Sequence, residues 1–350
     1  MKHAPALTLD DEAIVRPRTD EQRISAWLFV CCAMVFLMVI IGGITRLTES
    51  GLSITEWQPV SGILPPLNHA EWQEAFRSYK AIPQYRAIHE GMTLAQFKGI
   101  YFWEYVHRLL GRLIGVVFVL PFLWFLMRGA IRGPLVPKLL MIFALGALQG
   151  VVGWYMVSSG LEGRIEVSQY RLAIHLAMAV LIYAAMLWVA LDLRSPYPSA
   201  APRPGLRAWA WVVLALVAVT MVAGSFVAGT RAGYLDNTFP LMEGQWVPPG
   251  YWHLTPRYLN FFDNLVAVQF DHRVLAAATL GSVLLLWLSS VATPPAPRPV
   301  HWLAVLALVQ VGLGIATLLL VVPVPVAVLH QAGGLAVFTA ALAACHALRV

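Results

Sequence analysis

Apolar residues gather into eight long runs, at 25–45, 98–127, 136–158, 170–192, 207–229, 262–290, 300–322 and 325–348. A run of about 20 such residues crosses the hydrocarbon core of a bilayer as a helix. These runs are too long for barrel strands, and lipid cannot satisfy open backbone groups, so helices are the expected form. The pattern predicts an all-α integral membrane protein with eight transmembrane helices. Two long polar segments, 46–97 and 230–261, interrupt the runs. In the first, Asn68 is placed to cap a short helix through about Ala81, with Trp72, Ala75, Phe76 and Tyr79 on one side. Such an amphipathic piece is expected to lie at the membrane interface.

Basic residues set the orientation. Arg16, Arg18 and Arg23 precede the first run, and Arg349 follows the last. Arg128, Arg132 and Lys138 fall between runs two and three, Arg194, Arg203 and Arg207 between four and five, and Arg298 between six and seven. All lie on one side, which the positive-inside rule makes the cytoplasm. Both termini are then cytoplasmic, and the long segments face outward, to the periplasm if the membrane is a bacterial inner membrane. The acidic leader, with Asp10, Asp11, Glu12, Asp20 and Glu21, is unlike a transit peptide and reads as a cytoplasmic tail, 1–24.

Composition agrees. The 350 residues are 59% hydrophobic and 12% charged, about half the charge of a soluble domain. The net charge of +6 sits in short loops, which points to the lipid bilayer as partner and away from nucleic acid. Cys31, Cys32 and Cys345 fall inside apolar runs and read as buried small residues, with no loop disulfide expected.

The chain repeats itself. Run one ends Gly42-Gly43-Ile44-Thr45-Arg46 and run five ends Val227-Ala228-Gly229-Thr230-Arg231. Glu104-Tyr105-Val106-His107-Arg108 in run two matches Gln269-Phe270-Asp271-His272-Arg273 in run six. Gln149-Gly150 with Gly153 matches Gln310 with Gly312 and Gly314; Ile174-His175 matches Leu329-His330. Two parallel four-helix bundles are expected, 25–192 and 207–350, joined by a cytoplasmic linker, 193–206.

Ionisable residues inside a span are functional candidates. His107, His175, His272 and His330 each lie near the outer end of an even-numbered run, so all four are expected at one depth, two per half. Two imidazoles on facing helices suit the axial positions of an iron porphyrin. Four residues after each histidine stands a small residue (Gly111, Ala179, Ala276, Gly334), on the same helix face, where it could leave room for the porphyrin plane or simply pack helices together. A zinc site is disfavoured, because no compact cluster with a carboxylate or thiolate accompanies the histidines. His3, His69, His89 and His253 read as solvated. His301 and His346 read as interfacial, with ligation of a further cofactor left open. Glu104 shares a face with His107, and Gln269 replaces it in the second half. A carboxyl group exchanges protons and an amide does not, so Glu104 is the candidate for acid–base work; the structural alternative is an ion pair with Arg108 or Arg112. Arg46, Arg108, Arg231 and Arg273 lie near the same outer level and suit propionates, although interfacial snorkelling would also place them there.

The segment Gly43-Ile44-Thr45-Arg46-Leu47-Thr48-Glu49-Ser50-Gly51-Leu52-Ser53, with Glu56-Trp57-Gln58-Pro59-Val60 and Pro65-Pro66, resembles the haem A synthases. So do the Glu104-to-His107 motif, His175, Asp271-His272-Arg273 and His330, and the likeness runs over about 25–348. The resemblance implies oxidation of a methyl group of haem O to the formyl group of haem A, by two hydroxylations. It implies haem B on His272 and His330 in the C-terminal half. It also implies substrate haem O on His107 and His175 in the N-terminal half, with Glu104 needed for turnover. It further implies a haem O synthase as supplier and an electron donor that the sequence does not identify; a homo-oligomer stays open. One branch of the family has a cysteine pair in the outer loop; this chain lacks it and resembles the proteobacterial and mitochondrial branch. The alternatives are a dihaem b-type cytochrome passing electrons from quinol, and a transporter with a His and Glu proton relay.

Overall fold

The computed structural model describes residues 19–57, 62–161, 163–195 and 203–349. His3, Arg16, Arg18 and the Gln58–Val60 part of the outer motif lie outside them, as does part of the 193–206 linker. Eight described helices are long and apolar enough to span a membrane. They are α1 (Thr19–Leu47), α4 (Leu94–Met127), α5 (Leu135–Leu161), α6 (Gln169–Arg194), α7 (Pro204–Thr230), α9 (Leu265–Val291), α10 (Arg298–Leu319) and α11 (Val324–Ala347). The short helices α2 (His69–Lys80), α3 (Pro83–Ile88) and α8 (Asn260–Asp263) lie in the two long connections. The chain is an all-α multi-pass membrane protein.

Two expected boundaries shift for local reasons. The sixth span starts at Leu265 rather than 262, because Asn264 caps it by accepting from Val266 N at 3.1 Å and so separates α8 from α9. The seventh stops at Leu319 rather than 322, because Val321 and Val322 both take positive φ, a conformation costly for β-branched residues.

The predicted cap of α2 is present. Asn68 accepts from Glu71 N at 3.0 Å, and the Glu71 carboxylate reaches back to Leu67 N at 2.7 Å. Its apolar side, however, faces protein. Phe76 stacks on Phe97 at 4.9 Å, and Trp72 meets Tyr101 edge-on at 4.9 Å, so α2 sits on the outer end of α4.

Helix neighbours follow one scheme in both halves. The first helix packs against the second and the fourth, and the third packs against the fourth: α1 with α4 and α6, α5 with α6, then α7 with α9 and α11, α10 with α11. Between the halves, α6 meets α7 and α1 meets α11. The core fills the end of the bundle away from the long connections, where Leu28, Leu139, Leu286, Leu303 and Leu335 are buried. Cys31, Cys32 and Cys345 belong to that core. Two polar pairs lie inside it: Ser25 Oγ donates to Ala190 O at 2.8 Å, and Tyr183 and Thr339 share a 2.8 Å hydrogen bond.

Packing loosens toward the outer end. No residue is buried in 218–224 of α7, 270–278 of α9, 308–319 of α10 or 324–334 of α11. The first half has the same gap in 174–179 of α6 and 143–159 of α5. Those are the levels at which His175, His272 and His330 stand.

Candidate functional site

His175, His272 and His330 each stand about 10 Å inside the start of their helix, from a rise of 1.5 Å per residue. His107 stands deeper in the numbering of α4 because the first turns of that helix carry α2 beyond the bundle. All four rings are half-buried. The His272 and His330 rings are 6.4 Å apart between centroids and nearly perpendicular, at 85°. Two metal–imidazole bonds of about 2 Å, plus roughly 1 Å from each nitrogen to its ring centre, give about 6 Å between centroids. The residues of the second half therefore fit an iron held between these two histidines, in a layer where helix packing leaves side chains unburied.

Each ring rests on a glycine of a neighbouring helix. A Cβ on Gly153 would lie 3.0 Å from His175 Cε1, on Gly224 3.0 Å from His272 Cε1, and on Gly314 2.9 Å from His330 Cε1. A Cβ on Gly42 would lie 3.5 Å from His107 Nε2. The small residues expected to accommodate the ligand were the i+4 set instead. Of these, Gly111 faces Met38, Gly334 faces Gln310, and Ala179 and Ala276 are half-buried. The sequence contained the glycines, but contact across helices has no signature in the spacing along one helix.

Glu104 is buried and fully engaged. Its Oε2 accepts from Ser53 Oγ at 2.7 Å and Ile54 N at 2.8 Å, and its Oε1 accepts from Arg108 Nη2 at 2.7 Å and Nε at 3.1 Å. Arg108 in turn donates to the Ile54 and Glu56 carbonyls at 2.7 and 2.8 Å. The second half clamps its loop at the equivalent place with an amide that donates instead of accepting. Gln269 Nε2 and Arg273 Nη2 both donate to Asp236 O at 2.9 Å, and Arg273 Nη1 donates to Thr238 O at 2.8 Å. There, Gln269 Oε1 and Arg273 Nε are buried without partners. Asp271, beside His272, accepts from Tyr251 OH at 2.7 Å.

Arg46 and Arg231 form a cluster with two glutamates at the outer ends of the spans. Arg46 Nη2 meets Glu166 Oε2 and Arg231 Nη2 meets Glu49 Oε1, both at 2.6 Å, and Arg231 Nε also pairs with Glu166. Arg46 additionally donates to Ala228 O at 3.0 Å, while its Nε is buried without a partner. Glu49 and Arg231 are both left-handed residues, at φ 56° and 59°, that close α1 and α7. Glu166 carried no signal in the sequence, since it sits in a short connection without periodicity.

His89 is a correction. It reads as solvated from its place in a loop, yet its side chain is only 15% exposed. Its Nδ1 lies 2.5 Å from Tyr79 OH and its Nε2 lies 3.5 Å from Glu49. Burial holds its pKa below 6.5, partly opposed by the Glu49 charge, and burial pushes the Tyr79 hydroxyl up. His69, His253 and His301 are exposed. His346 is buried and paired with Asp192 at 3.0 Å. Among the described residues, no group of three or more His, Cys, Asp or Glu side chains could hold a metal ion. That leaves the paired histidines as the arrangement of interest.

Residues 25–342 match the family model described as cytochrome oxidase assembly protein. The chain is 52% identical over 335 residues to a haem A synthase of Nitrosospira multiformis, covering 94% of each chain. It is 53% identical over 330 residues to the haem A synthase of Rhodospirillum centenum, covering 93% of this chain and 88% of that one. With the haem A synthase of Parvibaculum lavamentivorans it shares 48% identity over 336 residues, 96% of this chain and 97% of that one.

Proposed function

The chain belongs to the haem A synthase family of cytochrome oxidase assembly proteins, and we propose that it oxidises haem O to haem A in its N-terminal half, beside a haem B held in its C-terminal half. Each hydroxylation is a two-electron oxidation that replaces one C–H of the methyl carbon by C–OH, with an oxidant and an oxygen atom (from dioxygen or water) that must come from outside the chain; the second gives a geminal diol that loses water to leave the formyl group. When bound, haem iron supplies the redox chemistry that side chains lack for an unactivated methyl group.

The chain's own residues hold, orient and exchange protons. His272 and His330 hold haem B, and His107 and His175 hold haem O. The observation that carries this reading is the His272–His330 pair, whose 6.4 Å separation suits one iron between two rings. Two spare donors, Arg46 Nε and Arg273 Nε, are buried without partners, one in each half. Either N–H can take a propionate without surrendering a contact, whereas Arg108 and Arg231 are committed to Glu104, Glu49 and Glu166. Glu104 handles the proton. The equivalent Gln269 donates to a loop carbonyl and cannot titrate, which leaves Glu104 as the one of the two that can exchange a proton. Lipid-facing helix surfaces provide the apolar groove that a farnesyl tail needs.

The two four-helix units are the functional domains, with the membrane a bacterial inner membrane, both termini cytoplasmic and both haem pairs toward the periplasm. A haem O synthase supplies the substrate. Nothing favours electron transfer from quinol as the main role, and the eight spans are unbroken, unlike those of transporters with midplane sites.

Expression in a host lacking haem A, with and without a haem O source, followed by haem extraction, tests the function. Haem A or its alcohol precursor should appear only with haem O. Haem B alone in both cases, with good yield of protein and an electron donor supplied, would overturn the synthase reading.

A further inference from the structure

The second and third helices meet differently in the two halves. α9 packs against α10 more closely than α4 packs against α5, the weakest seam between neighbouring spans within either half. At repeat-equivalent positions, Ala304 and Ala307 of α10 are buried where Phe143 and Gly146 of α5 are exposed. Leu280 of α9 packs on the core where Gly115 of α4 is exposed. Two aromatic pairs tie the α4–α5 seam. Phe118 of α4 stacks with Phe143 of α5 at 6.4 Å and 10°. Trp57 meets Trp154 of α5 at 6.4 Å, and it follows Glu56, whose carbonyl is held by Arg108 of α4 at 2.8 Å. From Phe143 to Trp154 is about three helical turns, or about 16 Å. Within that stretch Gly146 and Gly150 are exposed, and a Cβ on either would meet no atom within 4 Å; the same holds for Gly115 across the seam.

We propose that this window between α4 and α5, bounded by the two aromatic pairs, is the side entrance through which haem O passes between the lipid and the first half, with its hydrocarbon tail lying in the seam. The inference rests on the reading of His107 and His175 as the substrate pair. That pair stands at the outer margin of the window. His107 lies about three turns before Phe118 on α4, and Gly153, on which His175 rests, directly precedes Trp154 on α5. The opening therefore runs from the level of the histidines toward the membrane centre. Haem O is amphiphilic: its carboxylates need the arginines of the outer level, and its farnesyl chain is most stable out of water. A window running inward from the histidines serves both ends of the molecule at once. A tighter seam in the second half suits a haem that stays, and an open one suits a substrate that arrives and a product that leaves. Ordinary lipid contact explains exposed residues on α5, but not why their repeat-equivalents on α10 are buried.

The test is steady-state oxidation of haem O by the purified full chain in lipid nanodiscs. Gly146→Leu and Gly150→Leu plug the window, and Gly281→Leu, at an exposed glycine of α9 with equal space around it, is the control. Each plug should raise KM for haem O by about tenfold and leave kcat and haem B content at wild type, because entry is hindered and chemistry is not. The control should change neither. A wild-type KM in both plugged variants overturns the inference. So does a fall in kcat at unchanged KM, which would mean that the leucines disturb the site and not the way in. Absence of haem A from the wild-type chain itself means that the synthase reading has failed, whatever the plugs do. Should both plugged variants fail to fold, photo-crosslinking carries the test. With 4-benzoylphenylalanine in place of Ala147, exposed on α5, haem O should be captured; in place of Leu288, exposed on α9, it should not. No capture at 147, or equal capture at both places, overturns the inference.

Discussion

The two halves anchor their outer loops at equivalent places with different chemistry. In the first, Glu104 accepts four hydrogen bonds, two of them from Arg108, and the pair holds Ser53 to Glu56. In the second, Gln269 and Arg273 hold Asp236 to Thr238, and one amide oxygen and one guanidinium N–H are left over. Both loops are anchored, but with opposite polarity: Glu104 accepts from its loop and from Arg108, whereas Gln269 donates to a loop carbonyl. On the proposed reading the further difference is that only the first half can exchange a proton at this position.

Swapping the two residues is the sharpest way to break this comparison. Glu104→Gln keeps the size of the side chain and one acceptor oxygen but turns an N–H toward a donor, so the fold and both histidine pairs should survive with some loss of stability. Haem A formation should fall by about 100-fold or more, the scale of a lost general acid or base. Activity within a few-fold of wild type, measured by haem extraction, would make Glu104 a loop anchor only. The reciprocal Gln269→Glu gives up the donor to Asp236 O, but its carboxylate can take the unpartnered Arg273 Nε as Glu104 takes that of Arg108, so it should also fold. It should release haem B more readily, because that N–H is the donor assigned to a propionate. Unchanged haem B retention would move the propionate contact elsewhere.

How far the site could be read beforehand follows the same division between local and long-range information. Helices show in hydropathy, which each span carries within itself, and the Asn68 cap needs only Glu71 three residues on. The four histidines showed because the repeat placed them in register. Contacts across helices carry no such signal. Small residues were sought four places along from each histidine, yet the rings rest on Gly42, Gly153, Gly224 and Gly314 of other helices. Gln149 and Gln310 stand out as repeat markers, without any sign that their amides donate to the backbone carbonyls of His175 and His330. Glu166 and His89 were missed because a loop residue's surroundings depend on what folds over it.

The halves also differ in how they share the cluster at their outer junction. Arg231 holds two carboxylates of the first half, Glu49 and Glu166, whereas Arg46 holds Glu166 and a carbonyl of the second. Arg231→Leu leaves Glu49 without an arginine and should cost about 1–3 kcal/mol, between the values for exposed and buried ion pairs. Arg46→Leu should cost less, since Glu166 keeps Arg231. Thermal unfolding in detergent measures both, and equal losses would mean the two arginines are interchangeable clamps.

The smallest effect should be a pH dependence confined to the first half. His89 lies beside Tyr79 and Glu49 at the end of α3, and the long connection of the second half is built differently, with the four-residue α8 in place of α2 and α3. Its folded pKa is below 6.5, chiefly from burial. The unfolded chain therefore binds its proton first as pH falls. Stability is fully present above pH 6.5 and is lost as pH drops through the folded pKa, because the window between the two values favours the unfolded state. Glu49 works against this, since its charge steadies a protonated ring, so the loss should be modest. Hydrogen exchange across 69–92 should quicken between about pH 7 and 5, with exchange in 232–259 unaffected at matched intrinsic rates. His89→Gln, which keeps a polar group near Tyr79 but does not titrate, should flatten the response. An undiminished pH response in that variant would assign the titration to another group and leave His89 a packing residue.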